Sequence, residues 1–63
     1  MRFKIYEARR GVLLRKQWRW RLVARNGRTI ATSGESYNNR ADVLSAIELI
    51  RAEAALARVD MLA

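Results

Sequence analysis

Cysteine and histidine are both absent from the 63 residues of this chain. That excludes a disulfide framework, and it excludes any histidine or cysteine ligand set for structural zinc. The same absences remove Ser-His-Asp and Cys-His nucleophilic sites. Acidic groups are few: six Asp and Glu oppose thirteen Lys and Arg, for a net charge of +7. Glu7, Glu35, Asp42, Glu48, Glu53 and Asp60 are scattered, whereas general acid–base catalysis by paired carboxylates needs two that converge. Ser33-Gly34-Glu35-Ser36 lacks the spacing and the lysine of a phosphate loop and reads as a polar link. No apolar run approaches the ~20 residues of a membrane span. The amino terminus, Met1-Arg2-Phe3-Lys4-Ile5-Tyr6, alternates instead of forming the apolar segment of a secretory signal. The expectation is a cytoplasmic, non-enzymatic chain with no catalytic, metal or cofactor site, no identifiable small-molecule substrate and no membrane contact.

Size sets the next constraint. A chain this short forms one domain, residues 1–63, and buries only ~60% of its unfolded surface. Without disulfides or a metal, the remaining support for so small a core is a partner subunit. Self-association is therefore expected before any motif is considered.

Eleven of the thirteen basic residues are arginine; Lys4 and Lys16 are the exceptions. Arginine presents a planar fork suited to phosphate or carboxylate. A small basic protein associates with nucleic acid non-specifically at low salt. A genome biased towards GC codons would equally make arginine the ordinary surface residue.

The centre of the chain is a hairpin. Trp18, Trp20, Leu22 and Ala24 alternate with Arg19, Arg21, Val23 and Arg25, which assigns the two sets to opposite faces of a strand. Asn26-Gly27 follows, a strong hairpin signal between two such runs. A two-residue turn would set Ala24 opposite Thr29, Val23 opposite Ile30 and Leu22 opposite Ala31. A three-residue loop, Arg25-Asn26-Gly27 with Gly27 left-handed, would set Leu22 opposite Ile30 and Trp20 opposite Thr32. The two registers place Ile30 on opposite faces. The second gathers the large apolar groups and leaves Thr29, Ala31 and Ser33 outward; it is preferred, because a small domain has few isoleucines to spare.

Ahead of the hairpin, residues 3–7 read as a first strand, with Phe3 and Ile5 on one face and Arg2, Lys4 and Tyr6 on the other. Arg9-Arg10-Gly11 reads as a turn. Val12-Leu13-Leu14 either extends the second strand, with a bulge near Leu14, or packs as a loop. Apolar parity carries through to Trp18 if Lys16 points inward at the rim, its stem buried and its ammonium in water.

After the hairpin, Asn39 is a candidate N-cap with Asp42 in the capping-box position. The helix runs from Arg40 to about Ala57. Val43, Ile47, Ile50 and Ala54 recur at helical spacing, Leu44 widens the stripe, and Glu48 with Arg51 forms an i,i+3 pair. Leu49 and Leu56 fall off the stripe, which suggests a second contact surface. Residues 58–63 are either a frayed helical tail or a short strand with Val59 and Met61 on one face.

The ordered motifs resemble the family named after the bacterial protein YegP, a domain of unknown function. They are Phe3, Ile5 and Tyr6; Trp18 to Leu22; Ala24, Asn26 and Gly27; Ile30, Ala31 and Ser33; Gly34, Glu35 and Tyr37; and Ala46-Ile47. The resemblance implies an α+β unit: a three-stranded antiparallel sheet packed against one helix, followed by a short C-terminal strand. It also implies that two units form one continuous sheet and exchange those last strands. With one unit in this chain, a homodimer is expected, with Val59, Met61, Leu62, Leu49 and Leu56 as contacts. The family brings no enzymatic motif. The two tryptophans are better assigned to the core than to base stacking. The candidate nucleic-acid surface is the opposite face, with Arg19, Arg21, Arg25, Arg28 and Lys4 near Arg2, contacting phosphates without reading sequence.

Overall fold

The computed structural model describes residues 1–10 and 15–62. Three strands, β1 (Arg2–Arg10), β2 (Arg15–Val23) and β3 (Thr29–Thr32), form an antiparallel sheet in the order β1-β2-β3. Helix α1 (Arg40–Glu53) crosses one face and tightens into a 3-10 turn at Ala54–Leu56. The three-stranded sheet against one helix is the architecture expected from the sequence. β1 is longer than expected: it continues through Arg9 and Arg10, which belong to the strand and not to a turn. Gly11, the Val12-Leu13-Leu14 run and any bulge near Leu14 lie outside the described residues.

Period-two alternation fixes the covered face. Phe3 pairs with Leu22, Ile5 with Trp20 and Glu7 with Trp18. Trp20, Val43 and Ile47 are the buried centre, and Phe3, Ile5, Trp18, Leu22, Ala31, Tyr37 and Ile50 pack around them. The Phe3 and Trp20 rings meet edge to face, with centroids 5.4 Å apart, the arrangement favoured by the aromatic quadrupole. Lys16 does point to this face at its rim. Its ammonium lies 5.1 Å from the Trp18 ring centroid and 3.2 Å from Glu7 Oε1.

The hairpin loop is the three-residue form. Gly27 N–H donates to Ala24 O, Ala24 N–H donates to Arg28 O, and Gly27 has φ +90°. Val23 accordingly faces Thr29. The preferred register then fails one step further on. Leu22 faces Ala31 and Arg21 faces Thr32, because the ladder shifts between Leu22 and Val23. Ile30 is the extra residue of that bulge and is 55% exposed, while Ala31 packs on the core side. A bulge puts two residues opposite one and resets which face follows. The local loop geometry and the apolar alternation are thereby both satisfied, at the expense of one isoleucine.

At Gly27 an added Cβ would meet nothing within 4 Å. The cost of Gly27→Ala is therefore purely conformational, about 1 kcal/mol from forcing a side chain into the left-handed region. Urea unfolding should show that loss; an unchanged midpoint would mean that the loop relaxes into another turn.

The helix begins as its cap predicts. Asn39 Oδ1 accepts from Asp42 N–H at 3.0 Å. Asp42 does not complete the capping box through the backbone; its Oδ2 accepts from the Asn39 side-chain amide instead, also at 3.0 Å. The Glu48–Arg51 pair forms at 2.9 Å. Val43 and Ile47 are buried and Ile50 half-buried, but Ala54 is exposed. At Ala57 the backbone turns extended, with ψ 135°. Residues 57–62 form neither helix nor strand.

Candidate functional site

The helix leaves the other sheet face open. β1 contributes Arg2, Lys4, Tyr6 and Ala8 to it, and β2 contributes Gln17, Arg19, Arg21 and Val23, since successive side chains alternate and paired residues share a face. None of the six carboxylates belongs to this face. Glu7 lies on the covered side, Glu35 in the link before the helix, Asp42, Glu48 and Glu53 on α1, and Asp60 in the tail. Among the described residues, the ion pairs are Lys16–Glu7 and Arg51–Glu48. Arg2, Lys4, Arg21, Arg25 and Arg28 take part in neither and are exposed.

Arg19 behaves differently from its neighbours. It is half-buried, not exposed, and its guanidinium donates to Ser33 O at 2.8 Å and to Ser36 Oγ at 3.1 Å. The backbone explains why. Ser33 N–H donates to Trp20 O, and Tyr37 exchanges two 2.8 Å hydrogen bonds with Trp18. Between those two attachments the chain loops out through Gly34, Glu35 and Ser36 while β2 advances by Arg19 alone. The Arg19 fork spans the gap. With Ser33 O taken by Arg19, Trp20 N–H donates to Ser33 Oγ at 3.2 Å.

Ser33, expected outward, is consequently 2% exposed. Ser33→Ala would leave the Trp20 N–H buried without that acceptor. A loss of about 1–3 kcal/mol is expected, read by chemical denaturation. A loss below about 0.5 kcal/mol would show that the hydroxyl is dispensable.

Arg21 is held from the other side. Its Cζ lies 4.7 Å from the Tyr6 ring centroid, a cation–π contact between diagonal neighbours. Tyr6 is half-buried and Arg21 exposed. At the end of the sheet, Arg2, Lys4 and Arg25 surround a concave corner of about 360 Å³ floored by Val23, Ala24 and Gly27. Arg28 sits on the same turn, its N–H bound to Asn26 Oδ1 at 3.0 Å. Of the expected contact residues, Lys4 and Arg25 thus line the corner with Arg2, Arg21 lies across from Lys4 against Tyr6, Arg28 is on the same turn as Arg25, and Arg19 is committed to the link. Tyr6 is the residue that charge counting misses. Period two already put it on the arginine face; its partner became visible only with the cross-strand register.

The expected dimer residues lie elsewhere. Leu49 and Leu56 are exposed on the helical segment, and Val59, Met61 and Leu62 are each more than 90% exposed in the tail. An apolar groove of about 590 Å³ runs between β1, β2 and α1, lined by Phe3, Ile5, Leu22, Leu44, Ile47 and Ile50.

The profile of the family described as a domain of unknown function, DUF1508, matches residues 15–60. The chain belongs to this family. The matched span of the DUF1508 chain holds β2, β3, the helix and most of the tail, while β1 precedes it. No curated protein and no solved structure matches the chain. Among the described residues no helix is long and apolar enough to cross a membrane. Nor do three or more Asp or Glu come close enough together to hold a metal.

Proposed function

We propose that this DUF1508 domain acts as a homodimeric, non-enzymatic interaction or accessory module, its partner being a second copy of the chain. The observation that carries this reading is surplus surface. The chain exposes 5690 Å², whereas a compact 7.3 kDa monomer exposes about 4,200 Å². The excess, about 1,500 Å², is larger than the ~800 Å² that each partner of a standard interface buries. The radius of gyration, 13.7 Å, also exceeds the roughly 10.6 Å of a compact chain this long. The most exposed large apolar side chains include Leu56 on the helical segment and Val59, Met61 and Leu62 in the tail, with Leu49 also exposed. In the proposed dimer, each tail lies against the apolar groove of the other copy and runs beside β1, whose outer edge has no strand partner among the described residues.

Sedimentation equilibrium at micromolar concentration should report twice the 7.3 kDa chain mass. A species that stays monomeric throughout that range would refute the proposal.

A second reading, weak and sequence-nonspecific nucleic-acid binding, is favoured by the open sheet face, which bears Arg2, Lys4 and Arg21 and no carboxylate. Phosphate contacts of this kind supply affinity without specificity. The groove lies on the helix side of the sheet and the basic face on the other, and the two meet at Met1 and Arg2, which line both the groove and the corner.

A further inference from the structure

We infer that the open face takes single-stranded nucleic acid in a defined register: a phosphate in the corner between Arg2, Lys4 and Arg25, and a base on the Tyr6–Arg21 pair. This rests on the nucleic-acid reading above and specifies its ligand.

Two local arrangements carry it. The first is the corner. Arg2 and Lys4 from the start of β1 and Arg25 from the turn line one concavity, and the ion pairs among the described residues involve none of them. Like charges brought together without a counter-charge raise the local affinity for an anion. An arginine fork matches the geometry of phosphate oxygens. Its other lining residues are Met1, Val23, Ala24 and Gly27, so among the described residues no carboxylate lines the seat.

The second is the platform. Arg21 lies over the Tyr6 ring at 4.7 Å, so its guanidinium already rests against an aromatic face and offers its outer plane. Unstacked bases pack on aromatic rings and on guanidinium planes alike. The pair is the point on this face where both occur together. Lys4 lies directly across from Arg21 and two residues from Tyr6, which joins the platform to the corner. Arg2 is four residues from Tyr6 along β1, ~13 Å in an extended strand. A duplex keeps its bases in the stack and can reach the phosphate seat alone. A single strand can reach both.

The test is fluorescence anisotropy of labelled oligothymidylate and of a duplex of equal length, from ~50 mM salt upward. The single strand should bind at least fivefold more tightly. Tyr6→Leu, which keeps an apolar side chain, should weaken it about tenfold with an unchanged salt slope, within the range for one stacked base; Tyr6→Phe should restore binding. Arg25→Gln should weaken both ligands and lower the salt slope by about 0.7, one phosphate on a single strand. Circular dichroism verifies the fold of each variant. No binding at ~50 mM salt overturns this inference and the basic-face reading together. Equal binding of both ligands with Tyr6→Leu silent overturns the platform and leaves the basic face standing. Binding indifferent to Arg25→Gln overturns the corner seat.

Discussion

Trp20→Ala should leave this domain largely unfolded at 25 °C. Truncating a buried tryptophan costs about 3–5 kcal/mol. A chain of 63 residues holds only about 3–9 kcal/mol in total. Trp20 forms the buried centre with Val43 and Ile47, and Phe3 meets it edge to face. It is also the residue at which the sheet ladder and the Ser33 hydroxyl meet. Few other side chains are buried to take up the loss. Trp18, half-buried and closer to the rim, should cost distinctly less when truncated. Far-ultraviolet circular dichroism and urea titration of both variants check the ordering. A cooperative Trp20→Ala transition within 1 kcal/mol of the parent would place the core elsewhere.

Removing residues 59–63 should have the opposite signature: association collapses while the fold survives. Val59, Met61 and Leu62 are almost fully exposed in the single chain, so the isolated fold loses little packing with them. Burial of one such side chain contributes about 1.5–3 kcal/mol. Even after the cost of ordering the tail, loss of all three should raise the dimer dissociation constant at least a hundredfold, about 2.8 kcal/mol. Sedimentation measures the shift, and an unchanged circular dichroism spectrum shows that the sheet and helix remain. Association that persists undiminished would reject the tail as the dimer contact.

These contrasts follow what could be seen in the sequence. The helix and its Asn39 cap were legible because both are local: apolar spacing sets the face, and the cap needs a residue only three positions away. Asn26-Gly27 identified the loop for the same reason. The register beyond the loop was not legible. The apolar character of Ile30 argued for the core, and only the pairing of Leu22 with Ala31 shows it displaced by a bulge. Ser33 was misplaced as an outward group, and Arg19, which does lie on the open face, gave no sign of its tie to the link, because their partners lie 13 to 17 positions away. On the open face, alternation correctly grouped Lys4 with Tyr6 and Arg19 with Arg21. It could not tell which arginine would be committed to the link, nor that Arg2 and Arg25 would border one corner.

The broken far edge of the sheet has a consequence for how large an assembly can grow. β3 spans four residues, carries the Ile30 bulge, and gives way to the Gly34-Glu35-Ser36 excursion before Tyr37 rejoins β2. It offers no long straight row of free backbone groups to a further strand, and interrupted edges of this kind resist template-directed addition. β1, nine residues long, is the one long edge among the described residues. Endless stacking of sheets requires two usable edges per molecule, whereas a molecule with one can meet its like once and stop, in a closed two-fold pair. The irregularities of β3 thus leave it a poor template for a further strand, which would disfavour open-ended growth along the sheet.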